Sequence, residues 1–276
     1  MNNQELRILV IGAHPDDCDF KAGGTAALYK QEGHHVKFIS VTNGDAGHHE
    51  MGGGPLALRR GQEANDASDI IGIDYELLDI HDGELVPSLE NRYVIIRNIR
   101  LYKPDIIMTH RPNDYHPDHR YTSMLVQDAA YMVTVPNICA QTPHLKKNPV
   151  ILYLSDGFSK PYPFTPDVVI GIDSVVNKKI DMIHSHTSQI YEWLPYNNGT
   201  LESVPENSDD RKEWLSNRLH RHFSSIADKY RNKLIELYGN ELGESIQYAE
   251  AFESCEYGSS LTDESISTLF PFFKNS

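Results

Sequence analysis

The chain opens with a continuous run of apolar residues, LRILVIG at positions 6–12, preceded by polar residues. Such a run is typical of a strand that is buried on both faces of a parallel sheet. Gly23, Gly24 and Thr25 then open a helical stretch that ends at Gly33, since glycine is the residue that most readily ends a helix with a positive φ. A second apolar strand is predicted at residues 36–42.

Strands and helices continue to alternate over the first 175 residues. We predict the later strands at residues 75–80, 105–109, 150–154 and 167–172. We predict the helices between them at residues 56–71, 92–101 and 121–133. This alternation predicts an α/β fold with a Rossmann-like, doubly wound and mostly parallel sheet.

Two further segments depart from the alternation. Residues 43–55, NGDAGHHEMGGGP, are too rich in glycine and too long for an ordinary connection, which favours a functional loop. Beyond Ser174 the pattern becomes mostly helical. We therefore expect residues 1–276 to form a single domain with a helical C-terminal part, and we treat residues 192–217 as a candidate insertion.

Composition narrows the classes of partner. The 276 residues are 39% hydrophobic and 23% charged, and 25 basic against 39 acidic residues give a net charge of −14. This charge repels nucleic acids and anionic membrane surfaces, and no apolar run is long enough for insertion into a membrane. Three widely spaced cysteines suit a reducing compartment, so we expect a cytoplasmic protein and leave a homo-oligomer open.

The densest His/Asp clusters follow two strands of the predicted sheet. AHPDD occupies positions 13–17 after the first strand, and a second cluster runs from His110 to His119 after the fourth. In a sheet of order 3-2-1-4-5, the strand order reverses between these two strands, and ligands bind at the carboxyl ends of strands at such a point. The two clusters are therefore expected to converge.

Imidazole and carboxylate ligands suit a divalent transition metal, with Zn²⁺ as the first choice and other metals open. His14, Asp17 and His119 can supply three ligands and leave a position for water. Asp16 would then act as a general base, and His116 would act on the substrate. Asp118 is a candidate for orienting one of these imidazoles by a hydrogen bond, without binding the metal itself. The alternative is structural, because Asp16 or Asp17 can instead cap the following helix.

Several motifs together resemble the PIG-L/LmbE-like family of zinc-dependent N-deacetylases. They are IGAHPDDCDFKAGGT, LRRGQEA, KPDIIMTHRPNDYHPDHR and AEAF. The resemblance implies a Rossmann-like fold and hydrolysis of the N-acetyl group of an N-acetylglucosamine-type conjugate, which is a small-molecule substrate.

The resemblance also implies residue roles. His14, Asp17 and His119 correspond to the metal ligands, Asp16 to the general base, and His116 to a residue that stabilises the oxyanion or serves the leaving amine. Arg60 is similar to a substrate-binding residue, although a salt bridge to Glu63 on the same helix is an alternative. Asp45, Asp82 and Asp114 are further candidates for binding sugar hydroxyls. Cys18 departs from the glutamate that many members carry; we expect a small buried residue and keep a thiolate ligand as the alternative.

Three other functions remain as rivals. A nucleotide-binding domain is disfavoured because no G-x-G-x-x-G follows the first strand. A two-His-one-carboxylate Fe(II) oxygenase would use the same ligand set. A catalytically silent, metal-containing carbohydrate-binding protein would keep the pocket but would not need Asp16 as a base.

Overall fold

The structure, a computed structural model, describes residues 5–273. Its strands are β1 (Arg7–Gly12), β2 (His35–Ser40), β3 (Asp74–Leu77), β4 (Ile106–Thr109), β5 (Val150–Leu154), β6 (Val168–Gly171) and β7 (Ala249–Cys255). Its α-helices are α1 (Asp17–Gln31), α2 (Gly54–Asp69), α3 (Leu89–Tyr102), α4 (Pro117–Met132), α5 (Val176–Ser185), α6 (Leu194–Asn197), α7 (Ser208–Lys229), α8 (Arg231–Tyr238), α9 (Asn240–Ser245) and α10 (Asp263–Leu269). A π-helical turn spans Ser188–Trp193, and short 3₁₀ turns span Leu201–Ser203 and Pro271–Phe273.

The continuous apolar run of β1 is explained by helices on both faces of the sheet. Ile8 and Val10 belong to one hydrophobic core, and Leu9 and Ile11 belong to the core on the other face. Side chains alternate between the two faces of a strand, so a strand covered on both sides needs an apolar residue at every position. β1 therefore lies in the middle layer of a three-layer α/β fold.

The strand order is β3-β2-β1-β4-β5-β7-β6, and β3 through β5 are parallel. The predicted fold class, a mostly parallel, doubly wound sheet, is confirmed. The order reverses between β1 and β4, which pair directly with Ile11 beside Thr109. The loops that follow these two strands consequently leave the same edge of the sheet side by side.

β7 is the strand that the sequence analysis missed. Its sequence, AEAFESC, inserts antiparallel between β5 and β6. Small alanines and three polar residues obscure its apolar character, although Ala249, Ala251 and Phe252 are fully buried. The segment after Ser174 is therefore not helical throughout.

The four predicted helices all begin earlier than expected, and the difference is largest for α1 and α4. α1 begins at Asp17 rather than near Gly23, and α4 begins at Pro117 rather than at Tyr121. Pro117 suits the first helical position because proline has no N–H to leave unsatisfied there. Both His/Asp motifs therefore run directly into the N-terminus of a helix.

Glu250 on β7 fixes the middle of α1. Its carboxylate accepts hydrogen bonds from the backbone N–H groups of Gly24 and Thr25, both at 2.8 Å, and from the Thr25 hydroxyl. Lys179 of α5 completes the set, with Nζ 2.5 Å from Glu250 Oε1. A fully satisfied carboxylate in this buried position ties α1, α5 and β7 together.

The candidate insertion at 192–217 holds the end of the π-helical turn, α6, a 3₁₀ turn and the start of α7. Within residues 5–273, no helix has the length and apolar character needed to cross a bilayer.

The close packing around Gly24 leads to a stability prediction. A Cβ added at Gly24 would lie 2.8 Å from Ile172 Cγ2 and 3.0 Å from Glu250 Oε1, which overpacks the core. We expect Gly24→Ala to lower the free energy of unfolding by about 1–3 kcal/mol, measured by chemical denaturation.

Gly61→Ala is the matched control, because its Cβ would meet nothing closer than 3.9 Å. Helix propensity alone should leave Gly61→Ala as stable as the parent chain or slightly more so. Equal unfolding midpoints for the two variants would contradict the packing argument.

Candidate metal centre

Two imidazoles and one carboxylate converge at the strand-order reversal. His14 Nδ1 lies 3.2 Å from His119 Nε2. Asp17 presents Oδ2 to His14 Nδ1 at 3.5 Å and Oδ1 to His119 Nε2 at 3.5 Å. Ligands about 2.0–2.1 Å from a tetrahedral zinc ion stand about 3.3 Å from one another. The spacing and the chemistry of these three donors therefore fit a divalent cation.

Asp17 acts within the loop as well as towards the imidazoles. Its Oδ2 accepts hydrogen bonds from the backbone N–H groups of Ala13 (3.0 Å) and His14 (2.8 Å). Burial alone would raise the pKa of Asp17, but the charge of His119 and the hydrogen bond from His110 hold it well below its usual value. Asp17 is thus an ionised carboxylate whose position is fixed by the backbone around it.

Neighbouring carboxylates determine which ring nitrogen of each imidazole is available to a metal ion. His14 Nε2 lies 3.3 Å from Asp118 Oδ2 and 3.1 Å from Asp82 Oδ1, so Nδ1 is left to face His119. Asp118 is fully buried and also accepts the Gly83 N–H at 2.7 Å. Asp114 Oδ1 lies 3.1 Å from His119 Nδ1. This arrangement resembles the carboxylate–histidine pairs that orient metal ligands.

These neighbours also decide the charge of His14. Burial alone would lower the pKa of His14, but its contacts with Asp118, Asp17 and Asp82 raise it well above the usual value. A positive charge is therefore strongly favoured between these carboxylates. A metal ion and a proton compete for the same nitrogen, because a ligating imidazole must be neutral.

His110 is a member of the cluster to which the sequence analysis gave no role. Its Nε2 lies 3.2 Å from Asp17 Oδ2, and its ring stacks on the His119 ring with centroids 4.1 Å apart. Burial lowers the pKa of His110 to about 4, so the ring is neutral at pH 7. Asp17, His110 and His119 form an alternative group that can hold a cation, as do His14, His116 and His119.

Asp16 is oriented differently from Asp17. It stands at the N-cap position of α1, yet its side chain makes no capping hydrogen bond. Its Oδ2 lies 3.4 Å from an Arg60 guanidinium nitrogen. Burial raises the pKa of Asp16, and the Arg60 charge offsets this only in part. Asp16 is thus a buried carboxylate with an increased affinity for a proton, and it lines the cavity.

Arg60 joins several parts of the site. It lies beside Asp16, 3.7 Å from Asp82 Oδ2, and donates to the Gly44 carbonyl oxygen at 3.1 Å. Gly44 has φ +71°, and a Cβ there would lie 2.6 Å from Arg60 Nη1. Glu63 pairs with Arg59, with Nε 3.2 Å from Oε1, so the alternative partner suggested for Arg60 is already engaged.

His116 is the N-cap of α4. Its Nδ1 accepts the Asp118 backbone N–H at 3.2 Å, so the proton of the neutral ring sits on Nε2. Burial, together with the charges of His14 and His119, lowers the pKa of His116. The ring is therefore a neutral hydrogen-bond donor at pH 7.

The remaining sequence candidates lie in different surroundings. Asp82 and Asp114 line the cavity and contact imidazoles of the centre. Asp45 is outside the cavity lining, and its two oxygens accept from His81 Nδ1 (2.6 Å) and the Asp82 N–H (3.0 Å). Cys18 is the small buried residue that was expected: Sγ lies 3.7 Å from the carbonyl oxygens of Val10 and Ile39.

A cavity of about 650 Å³ opens over the centre. Its lining also includes groups that the sequence did not reveal as neighbours: Phe20, Lys21, Tyr115, Phe158, Lys179, Gln189, Trp193, Leu194, His222 and Ile226. The sequence gives little indication that these residues line one cavity, because they come from loops and helices far apart in the chain.

Comparisons with known proteins agree with this architecture. The PIG-L family, described as GlcNAc-PI de-N-acetylase, matches residues 9–130. Diacetylchitobiose deacetylase from Thermococcus kodakarensis is 31% identical over 211 residues, which cover 70% of this chain and 76% of that protein. A 4-oxalmesaconate hydratase from Pseudomonas putida is 26% identical over 73% of this chain and 81% of its own length.

Among solved structures, the N,N'-diacetylchitobiose deacetylase from Pyrococcus horikoshii shares the fold with a TM-score of 0.68. It is 23% identical, and the match covers 91% of this chain and 84% of that chain. The T. kodakarensis relative, 31% identical over 76% of its own length, shows that the chain belongs to the PIG-L/LmbE family.

Proposed function

We propose that this protein is a metal-dependent hydrolase that removes the N-acetyl group from an N-acetylglucosamine-type amino-sugar conjugate. The observation that carries the proposal is the convergence of His14, Asp17 and His119 in the lining of one cavity, with Asp16 beside them. The relationship to a diacetylchitobiose deacetylase supports the reaction class.

His14, Asp17 and His119 would hold the metal, with Zn²⁺ as the first candidate because imidazole and carboxylate suit it. A divalent metal there would supply Lewis acidity, polarising the acetyl carbonyl and lowering the pKa of water towards about 7. Asp114 and Asp118 would keep the two imidazoles in place, since each lies next to the ring nitrogen that faces away from the centre.

Asp16 serves as the general base in this proposal. A base works best when its pKa lies near the working pH, and burial raises the pKa of Asp16 in that direction. Arg60 stands 3.4 Å away and holds the carboxylate against the cavity. Asp16 takes the proton of the attacking water and returns it to the departing amine, because it is the group that gains a proton in the first step.

His116 donates a hydrogen bond to the oxyanion of the tetrahedral intermediate. Its Nδ1 is occupied by the Asp118 N–H, so only the Nε2 proton is available. A neutral donor stabilises developing negative charge without adding a full positive charge next to the metal. Asp82, Asp114 and Arg60 remain our candidates for hydroxyl contacts in the cavity; Asp45 would act indirectly, through its hold on the Asp82 backbone.

Family membership alone does not fix the reaction, because one relative is a hydratase. Both reactions need an activated water and a base. Release of acetate from N-acetylated amino-sugar glycosides decides between them, and it also excludes a silent binding protein. Activity without oxygen or a 2-oxoacid excludes the Fe(II) oxygenase.

The metal requirement gives the first functional prediction. A chelator should abolish acetate release, and added Zn²⁺ should restore it. The thermal midpoint should fall in parallel, because metal removal leaves the carboxylates Asp17, Asp82, Asp114 and Asp118 without a divalent counter-charge. Full activity in protein that elemental analysis shows to be free of metal would contradict the proposal.

The base assignment gives the second prediction. Asp16→Asn should keep its metal while kcat for acetate release falls by two orders of magnitude or more, the usual scale for general-base catalysis. Asp69→Asn is the control, since Asp69 is an exposed carboxylate at the end of α2, and it should match the parent enzyme. If Asp16→Asn loses metal instead, Asp16 is a ligand and the assignment is wrong.

The role of His116 gives the third prediction. His116→Ala should lower kcat by about 10²- to 10³-fold, as for the loss of one oxyanion donor, with metal content unchanged. Metal analysis matters here because His14, His116 and His119 also form a group that can hold a cation. A stoichiometric loss of metal would move His116 from the oxyanion site to the ligand set.

A further inference from the structure

Exposed aromatic rings stand at the cavity mouth next to the metal centre. Tyr115 is 71% exposed and Phe158 is 37% exposed, and their ring centroids are 6.2 Å apart. The Tyr115 ring also stands edge-on to His116 and His119, each at 5.7 Å. We call the pair Tyr115 and Phe158 the aromatic wall. Exposed apolar groups that adjoin a pocket commonly mark a binding surface.

The aromatic wall rests on a rigid base. Arg111 follows β4, is almost fully buried, and makes a two-point contact with Asp156, with Nε 2.6 Å from Oδ2 and Nη2 3.0 Å from Oδ1. Nη2 also donates to the Phe158 carbonyl oxygen at 3.0 Å, and the Phe158 N–H donates to Asp156 Oδ1 at 2.8 Å. Glu253 on β7 completes the pairing with Arg111 at 3.3 Å.

A buried guanidinium and two carboxylates therefore hold the backbone of an exposed phenylalanine in place. Such bidentate Arg–carboxylate pairs fix geometry because both partners are planar. The backbone that carries the Phe158 ring is thus preorganised beside Tyr115, which lowers the entropy cost of binding a ligand against it.

The cavity has room for more than one sugar. N-acetylglucosamine has about 15 non-hydrogen atoms, and at no more than about 30 Å³ each, the volume of a water molecule in the liquid, they fill at most about 450 Å³. The cavity measures about 650 Å³. Tyr115 and Phe158 of the aromatic wall line this cavity, and so does Trp193 of the π-helical turn.

We propose that the aromatic wall is a subsite for the aglycone of the substrate, and that it selects aglycones that are themselves rings able to stack on Tyr115 and Phe158. This inference rests on the proposed deacetylase activity. Aromatic faces attract the C–H-bearing face of a pyranose and the face of an aryl group, and the two sources share this chemistry. An acyclic aglycone would leave both rings exposed to water.

The test compares four substrates by acetate release: N-acetylglucosamine, its methyl glycoside, its phenyl glycoside and N,N'-diacetylchitobiose. We expect a lower KM for the two substrates with ring aglycones. Phe158→Ala should raise their KM by about 5- to 10-fold, the scale of one aromatic contact, and should reduce the ratio of their kcat/KM to that of the methyl glycoside by the same factor. Phe158→Trp should restore most of that ratio.

Tyr131→Ala is the matched control. Tyr131 lies on α4, is 70% exposed, and is outside the cavity lining, so its loss should leave all four KM values unchanged. The thermal midpoint of each variant shows whether it is folded. A preference shared by the disaccharide identifies a sugar-binding subsite, and one confined to the phenyl glycoside identifies an aryl-binding subsite.

The outcomes separate this inference from the proposed function. If none of the four substrates releases acetate, the deacetylase proposal fails first. If the methyl glycoside is hydrolysed but Phe158→Ala alters all substrates equally or none of them, the deacetylase proposal stands and the aglycone subsite is wrong.

Discussion

The candidate metal centre depends on one constraint: its buried carboxylates must be balanced by positive charge close to them. Asp17, Asp82, Asp114 and Asp118 are removed from most of the solvent, and each contacts His14 or His119. A buried carboxylate without a partner costs several kcal/mol, so none of these groups is stable in its position by itself. The cluster holds more carboxylates than permanent cations, with Arg60 as the fixed positive charge beside it. This excess of negative charge is why a divalent cation suits the space between the imidazoles.

The convergence of the two motifs could be predicted because it follows from topology. Parallel strands present their carboxyl ends at one edge of a sheet, and the alternation of strands and helices already implied the order in which β1 and β4 are neighbours. AHPDD and HPDH follow those strands closely enough that no long loop separates them from the sheet. The distances between His14, Asp17 and His119 are a consequence of that adjacency.

The partners of the other site residues could not be predicted in the same way. Asp82 and Asp114 belong to loops whose course depends on tertiary packing, and their contacts with His14 and His119 follow from that course. In the sequence, Asp45 and Asp82 are both aspartates in predicted loops. In the structure, Asp82 contacts His14, whereas Asp45 contacts His81. In the sequence, nothing distinguishes Arg111 from other basic residues that follow a strand. Its burial depends on pairing with Asp156 and Glu253, which lie 45 and 142 positions further along the chain.

The position of β7 has a consequence for the order in which the chain can fold. β6 pairs with β7 and not with β5, so β6 has no strand partner, and β5 has only β4, until residue 255 has been synthesised. Until then β5 is an open sheet edge, the kind of surface that pairs with other chains. Glu250 also arrives with β7, and the middle of α1 gains its anchor only at that stage. The part of the chain that carries the candidate metal centre is thus encoded early but completed by one of the last strands. A ribosome-bound or truncated product that ends before β7 carries every proposed metal ligand but lacks the strand that secures α1, the helix that begins at Asp17.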